Sequence, residues 1–140
     1  MVPVHEWGPD APTTPRLALS LRNLGREVDA RWPGRDRASD GWIGDLSHQQ
    51  RDSDHNPDPR GIVHAADIDA SDVDPWALVV AAVVHPSTSY VIFRGRIFSR
   101  SHLWSARDYT GPDPHTSHVH VSILHTHKAE QSPRHWIERP

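Results

Sequence analysis

Histidine and carboxylate residues that could form a metal site are concentrated in two short segments of this chain. One begins with Ser53-Asp54-His55 and continues, after a loop, into residues 64–69; the other spans residues 115–121. Imidazole and carboxylate groups are donors that hold catalytic zinc in proteins. Because the chain has 12 histidines among 140 residues, one close pair would be weak evidence, and the two segments are informative only together.

The second segment has the pattern of a half-buried strand. Polar and apolar residues alternate from 118 to 123, the period of two that is typical of a strand. His118 and His120 are therefore expected side by side on the face that points away from the core. There they can share a metal, or one can bind the metal while the other transfers protons. His115, three residues upstream, can turn back onto the same face.

The first segment combines a turn with a short strand. Residues 54–59 are rich in turn formers, so His55 is expected on a loop. In the strand that follows, Asp67 and Asp69 share one face, whereas Ala66 and Ile68 share the other. The sequence thus predicts an imidazole presented from a loop and a carboxylate presented from a strand.

The composition limits which residues could bind a metal and which functions the protein could have. The chain has no cysteine, which excludes disulfides and thiolate ligands, so histidine and aspartate must supply any zinc site. A net charge of −3 and the lack of long basic runs argue against nucleic-acid binding. No apolar run reaches the roughly 18 residues of a membrane span, and residues 1–14 lack the apolar core of a signal peptide. We therefore predict synthesis in the cytoplasm and no membrane insertion.

The chain length predicts a single domain. We expect a proline-rich leader at 1–14, the domain at 15–137 and a tail at 138–140, with Trp7 and Trp136 as anchors. One helix is predicted at 15–31, with Thr14 as its cap. A second helix is predicted at 75–84, capped by Asp74; it is apolar on all sides, which predicts a buried helix.

The remaining elements are strands and loops. Residues 90–93 and 96–99 predict a hairpin that turns at Arg94-Gly95. Residues 35–54 and 104–111 are expected to be loops, and residues 125–128 a solvated strand end. The order of elements indicates an α+β fold with a small, mainly antiparallel sheet packed with helices.

Taken together, these motifs resemble the LAS group of zinc metallopeptidases. That group includes D-Ala-D-Ala carboxypeptidases, the L-alanyl-D-glutamate endopeptidases of phage lysins and the penicillin-insensitive murein endopeptidase, and it shares its fold with the Hedgehog signalling domain. Ser53-Asp54-His55 is similar to its Ser-x-His, residues 65–68 to the end of its Gly-x-Ala-x-Asp element, and His118-Val119-His120 to its His-x-His. Much of 53–123 resembles lysin-type domains from actinobacteria and their phages.

The resemblance implies a function and a role for each residue. It implies a Hedgehog/DD-peptidase-like fold, one Zn²⁺ per chain held by His55, Asp67 and His120, and a proton acceptor at His118 assisted by His115. The implied reaction is hydrolysis of a peptide bond in the stem or cross-link of peptidoglycan. The expected protein is thus a cell-wall hydrolase, acting as a phage lysin or as exported cargo.

Several alternatives stay open at this point. Eleven residues separate His55 from Asp67, a longer loop than is usual in the group, so Asp69 and His64 remain competing ligands. Ser53 is expected to support the site. Arg51 could form a bidentate hydrogen bond to a substrate carboxylate, or it could be a solvated loop residue. Two other functions compete: a non-catalytic zinc-binding module of the same fold, and a metal-free phosphoesterase using motifs such as His120-Val121-Ser122. The bond cut and the oligomeric state are not indicated.

Overall fold

A computed structural model describes residues 7–8, 15–43, 53–111 and 113–137. Over these ranges the strands are β1 (Arg16–Leu17), β2 (Ile62–Val63), β3 (Ala65–Asp69), β4 (Thr88–Phe93), β5 (Arg96–Ser99), β6 (Arg107–Asp108) and β7 (His118–Ile123). The helices are α1 (Leu19–Arg31), α2 (Pro75–Val84) and α3 (His127–Gln131), with a 3-10 turn at Arg100–His102.

Five of the strands form one antiparallel sheet, in the order β3-β7-β4-β5-β6. β7 lies between β3 and β4, and all six of its residues are buried. Its apolar side chains enter the hydrophobic core, so the alternation seen in the sequence separates a core face from a histidine face. The predicted α+β fold with a mainly antiparallel sheet is confirmed. β1 and β2 form a separate parallel pair.

The first helix begins later than predicted. Residues 16–17 are paired with β2 as a strand, and α1 starts only at Leu19, after Ala18. The amide of Ala18 donates to the carbonyl of Val63 at 3.0 Å, a long-range partner that no local pattern reveals. Thr14, the predicted cap, lies outside the described residues, as do residues 1–6 and 9–13 of the predicted leader and the predicted tail at 138–140.

Two tryptophans, one near each end of the described chain, pack against α1. The indole of Trp7 is buried and donates from Nε1 to Asp29 Oδ2 at 3.0 Å. Its ring lies against Gly25, where an added Cβ would approach the indole to 2.2 Å. Trp136 is also buried and donates from Nε1 to the carbonyl of Ser20 at 2.9 Å. Both residues are anchors, as predicted.

The second helix is capped as predicted but is not buried all round. Asp74 Oδ1 accepts from the amide of Ala77 at 3.1 Å, and Pro75 occupies the first turn. One face packs on β4 and β7, while the opposite face is open, with Val80 62% and Val84 68% exposed. The expectation of a fully buried helix was wrong, because among the described residues only one side of this helix has a layer to pack against.

The hairpin formed by β4 and β5 is confirmed. Phe93 pairs with Arg96, and Arg94 and Gly95 turn with φ of 48° and 72°. The short strand β6 lies within the predicted loop at 104–111. Residues 125–128 are not a strand end: Thr126 Oγ1 accepts from the amide of Ala129 at 3.1 Å and caps α3. None of the helices in the described ranges has the length and apolarity needed to cross a membrane.

Candidate metal centre

The register of two strands brings the predicted carboxylate and imidazole together. β3 and β7 pair with Asp67 opposite His120 and Asp69 opposite His118. Residues that face each other across antiparallel strands lie on the same side of the sheet. His120 Nδ1 lies 2.9 Å from Asp67 Oδ1, and both side chains are buried.

A loop delivers the second imidazole to the same carboxylate. The amide of His55 donates to Ser53 Oγ at 3.2 Å, which holds the turn that presents the ring. His55 Nε2 lies 3.3 Å from Asp67 Oδ2. The metal-binding atoms of His55, Asp67 and His120 all lie within 4.8 Å of one another. The three predicted ligands therefore form one buried group.

Nδ1 of His55, the ring nitrogen that does not face Asp67, has a hydrogen-bond partner that determines which nitrogen of the ring carries the hydrogen. His55 Nδ1 lies 3.1 Å from the carbonyl oxygen of Trp42. A carbonyl can only accept, so Nδ1 carries the hydrogen and a neutral ring presents a lone pair at Nε2. The Trp42 carbonyl is itself positioned by the neighbouring bridge, in which Gly41 and Asp67 exchange backbone hydrogen bonds of 3.1 and 2.8 Å.

A buried hydroxyl lies behind the His120 ring. Burial and the nearby carboxylate of Asp54 raise the pKa of Tyr90, so the ring that stacks on His120 is a neutral phenol. His120 Nε2 lies 2.7 Å from Ser122 Oγ, which can accept the Nε2 hydrogen of the neutral imidazole. His120 Nδ1 is then the lone pair that faces Asp67.

Lone pairs of two imidazoles thus converge on a carboxylate. Such an arrangement is repulsive unless a proton or a metal ion lies between the groups. In the absence of a metal, the rings can instead carry hydrogen on their inner nitrogens and donate to Asp67; burial by itself would raise the pKa of Asp67, but these hydrogen bonds from His120 and His55 hold it well below its usual range. Burial opposes protonation of His55, yet Asp67 raises its pKa; for His120, burial prevails and lowers the pKa. Asp67 is therefore an anion at neutral pH, and its histidines compete with a metal for it.

Two further imidazoles border this group. His118 Nε2 lies 3.3 Å from Asp67 Oδ2 and 3.9 Å from Asp113 Oδ2, and it makes no hydrogen bond. The His115 ring is centred 4.8 Å from that of His118, and its Nδ1 is buried without a partner. Burial and the neighbouring histidines lower the pKa of His115 to about 4, so it is neutral at pH 7. Asp67, His115 and His118 form a second group with metal-ligand spacing.

The hairpin turn positions His115. The amides of Arg94 and Gly95 donate to the carbonyls of His115 and Pro114 at 3.1 and 2.8 Å. His115 itself adopts a φ of 58°, a left-handed conformation that costs energy in a residue other than glycine. The hairpin therefore holds the loop that carries this ring over the site.

Other predicted residues lie elsewhere. Asp69 accepts backbone hydrogen bonds from Ser39 and Ser71, both at 2.8 Å, and is not part of either ligand group. His64 pairs with Glu130 at 2.6 Å, away from Asp67. Ser53 supports the His55 loop rather than contributing a ligand atom. Arg51 lies outside the described residues.

Sequence reasoning missed the residues behind the histidines. Tyr90 stacks on His120 with ring centres 5.5 Å apart, and Ser122 Oγ lies 2.7 Å from His120 Nε2. Nearer the surface, His125 Nε2 lies 2.8 Å from Asp54 Oδ1. The alternation of β4, which puts Tyr90 and Ile92 on one face, was the one available signal for Tyr90.

Comparison of the chain with protein families, with curated proteins and with solved structures returned no match. The chemistry of the site is therefore inferred from its own residues and from the motifs they form.

Proposed function

We propose that this chain is a zinc-dependent peptidase that hydrolyses a peptide bond in the stem or cross-link of peptidoglycan. The observation that supports the metal is the convergence of His55 Nε2, His120 Nδ1 and the Asp67 carboxylate, with both outer ring nitrogens already bonded. Two histidines and one carboxylate are a donor set of catalytic zinc sites, which keep a further position open. Ring nitrogens fixed by hydrogen bonds on their far side are the usual support of such ligands.

Zinc bound by these three residues would lower the pKa of a coordinated water to about 7 and polarise the scissile carbonyl. The neighbouring histidines would transfer the protons and stabilise the carbonyl oxygen. His118 Nε2 has no hydrogen-bond partner and lies beside Asp67, so it is placed to accept a proton from the nucleophilic water and return it to the leaving amine. His115 is neutral at pH 7 and can donate a ring N–H to the carbonyl oxygen as negative charge develops there.

The fold and the substrate class are proposed on the resemblance of the motifs. A Hedgehog/DD-peptidase-like arrangement is compatible with the antiparallel sheet and with the order loop His, strand Asp, strand His-x-His. The resemblance of the motifs to those of wall-cleaving peptidases favours peptidoglycan peptides over other peptide substrates.

The test combines metal content with product analysis. Zinc-loaded protein is incubated with purified peptidoglycan, and soluble products are read by mass spectrometry. We expect new peptide termini from the native protein, and from His127→Ala as a control at an exposed histidine. His118→Ala is expected to keep one zinc per chain and release nothing, whereas Asp67→Asn is expected to lose the zinc.

The outcomes separate the competing functions. One bound zinc with no product from any variant would refute the peptidase proposal for this substrate and favour a non-catalytic zinc-binding module. Product formation that continues after chelation would contradict the role of the metal.

A further inference from the structure

The outward face of α2 carries an apolar stripe that is largely exposed in the described part of the chain. Only Trp76, at one end, has ring contacts there, edge-to-face with Phe93 and Phe98 at 5.1 and 6.5 Å between ring centres. Trp76, Val80 and Val84 are 43%, 62% and 68% exposed and follow one another at intervals of four residues, so they line one side of the helix. Ala77 and Ala81 lie along the same stripe. Valine is a poor helix former, and single exposed apolar residues are common, but a continuous stripe of this kind marks an interaction surface.

The stripe is one wall of a groove. The segment 134–137 forms the other wall, and together they enclose about 900 Å³. Trp136 is buried in this second wall, where its indole stacks on His85 with ring centres 3.6 Å apart. One wall of the groove therefore contains a buried, packed side chain, Trp136, among residues that are mostly exposed.

Charge is distributed asymmetrically along the groove. Asp74 lies at the N-terminal end of the helix, and its negative charge is exposed there. Arg134 and His135 are exposed at the opposite end, where the charge of Arg134 acts on the C-cap residue His85. Glu27 also lies at this end, where its Oε1 is 3.5 Å from His135 Nδ1 and accepts from the amides of Trp136 and Ile137; among the described residues no carboxylate pairs with the guanidinium of Arg134. A partner that covers the stripe should therefore present a positive group near Asp74 and a negative group near Arg134.

We propose that this partner is a second copy of the chain, bound through the same face in an antiparallel arrangement. Val80 is the midpoint between Trp76 and Val84, so a two-fold axis at Val80 places each Trp76 against the other copy's Val84. The same axis brings Asp74 of each copy toward Arg134 of the other, and it sets the two helix dipoles antiparallel. The apolar stripe of each copy is then opposed by the stripe of the other, and each charged end by a group of opposite sign.

The proposed interface leaves the metal centre free. α2 packs on the sheet through β4 and β7, on the side of Val91 and Phe93, whereas Tyr90 stacks on His120 on the other side. Dimerisation and metal binding should therefore be independent, and failure of one proposal does not affect the other.

Disulfide trapping tests the arrangement directly, because the native chain has no cysteine. Val80→Cys puts a thiol on the proposed axis and should form a disulfide-linked dimer on mild oxidation. Val84→Cys should not, because its two copies would lie about 12 Å apart along the helices, beyond the reach of a disulfide. Leu103→Cys is the matched control at a residue that is 87% exposed on another surface.

Analytical ultracentrifugation of the native chain and two variants completes the test. We expect a concentration-dependent dimer, converted to monomer by Val80→Glu and weakened at least tenfold by Arg134→Glu, with circular dichroism unchanged. A native chain that is monomeric at about 1 mM would overturn the proposal. Trapping of Val84→Cys or Leu103→Cys as fast as Val80→Cys would overturn it as well.

Discussion

Ser122 is the clearest test of how the fold prepares His120 for a metal. Its hydroxyl lies 2.7 Å from His120 Nε2, and the side chain is fully buried. Ser122→Ala would remove the acceptor for the His120 Nε2–H and leave that hydrogen in a site that water does not reach. The Nδ1 lone pair would then no longer be the favoured state of the ring.

The size of the effect follows from the loss of one buried hydrogen bond. Leaving a buried donor unsatisfied costs about 1–3 kcal/mol. Removing the outer partner of a metal-ligating histidine typically weakens metal binding by about 10- to 100-fold, which corresponds to about 1.4–2.7 kcal/mol. The two estimates agree, so we expect zinc affinity to fall by a factor in that range while the stoichiometry remains one per chain at saturation.

Zinc competition against a chromophoric chelator measures this affinity without reference to catalysis. Ser101→Ala is the matched control, because that serine is exposed and lies outside the metal centre. Urea unfolding of both metal-free variants reports any general loss of stability. If Ser122→Ala binds zinc within twofold of the native chain, or no more weakly than Ser101→Ala does, the proposed role of the Ser122 hydroxyl is refuted.

Two further predictions concern stability. Gly25→Ala improves helix propensity but forces a Cβ against the indole of Trp7, so we expect a net loss of about 1–3 kcal/mol in urea unfolding; an unchanged or higher stability would contradict the packing. Glu130→Gln weakens the contacts of this side chain with Arg60 and His64, so it should lower the free energy of unfolding by about 1–3 kcal/mol at pH 7, measured in the same way. Although burial opposes it, Arg60 and His64 hold the pKa of Glu130 below its usual value, so its contribution is present above about pH 4.3 and is lost as pH falls through the folded-state pKa. The gap between Glu130→Gln and the native chain should therefore narrow in acid, and a constant gap would contradict the ion pairs.

Several local features could be predicted from the sequence because neighbouring residues are enough to define them. The alternation in β7 assigned each side chain to a face, since successive residues of a strand point to opposite sides. Asp74 followed by Pro75 identified the start of α2, because a cap and a fixed φ act within one turn. Arg94-Gly95 identified the hairpin turn, because the turn's backbone needs positive φ.

Other boundaries depended on partners far away in the chain. α1 starts at Leu19 because β1 pairs with β2. The start of α3 is different, because Thr126 caps that helix from three residues away, a local signal that the prediction of a strand end overlooked. The apolar composition of α2 did not reveal which of its sides would be open. That depended on the number of layers around it, which is a property of the assembled fold.

The sequence contains the metal-binding side chains of the site, but the tertiary structure decides which of them come together. Asp67 and Asp69 share a face, as the period of two requires, so their spacing could not distinguish them. The fold does so by giving Asp69 two backbone amides to bind and by leaving the carboxylate of Asp67 to the histidines. Of the groups that contact those rings, the Trp42 carbonyl and the Tyr90 ring come from other segments, whereas Ser122 lies on β7 two residues after His120. Short-range periodicity in the sequence shows which donors are available, but the pairing of distant segments, β3 with β7 and the His55 loop with Asp67, decides which donors meet.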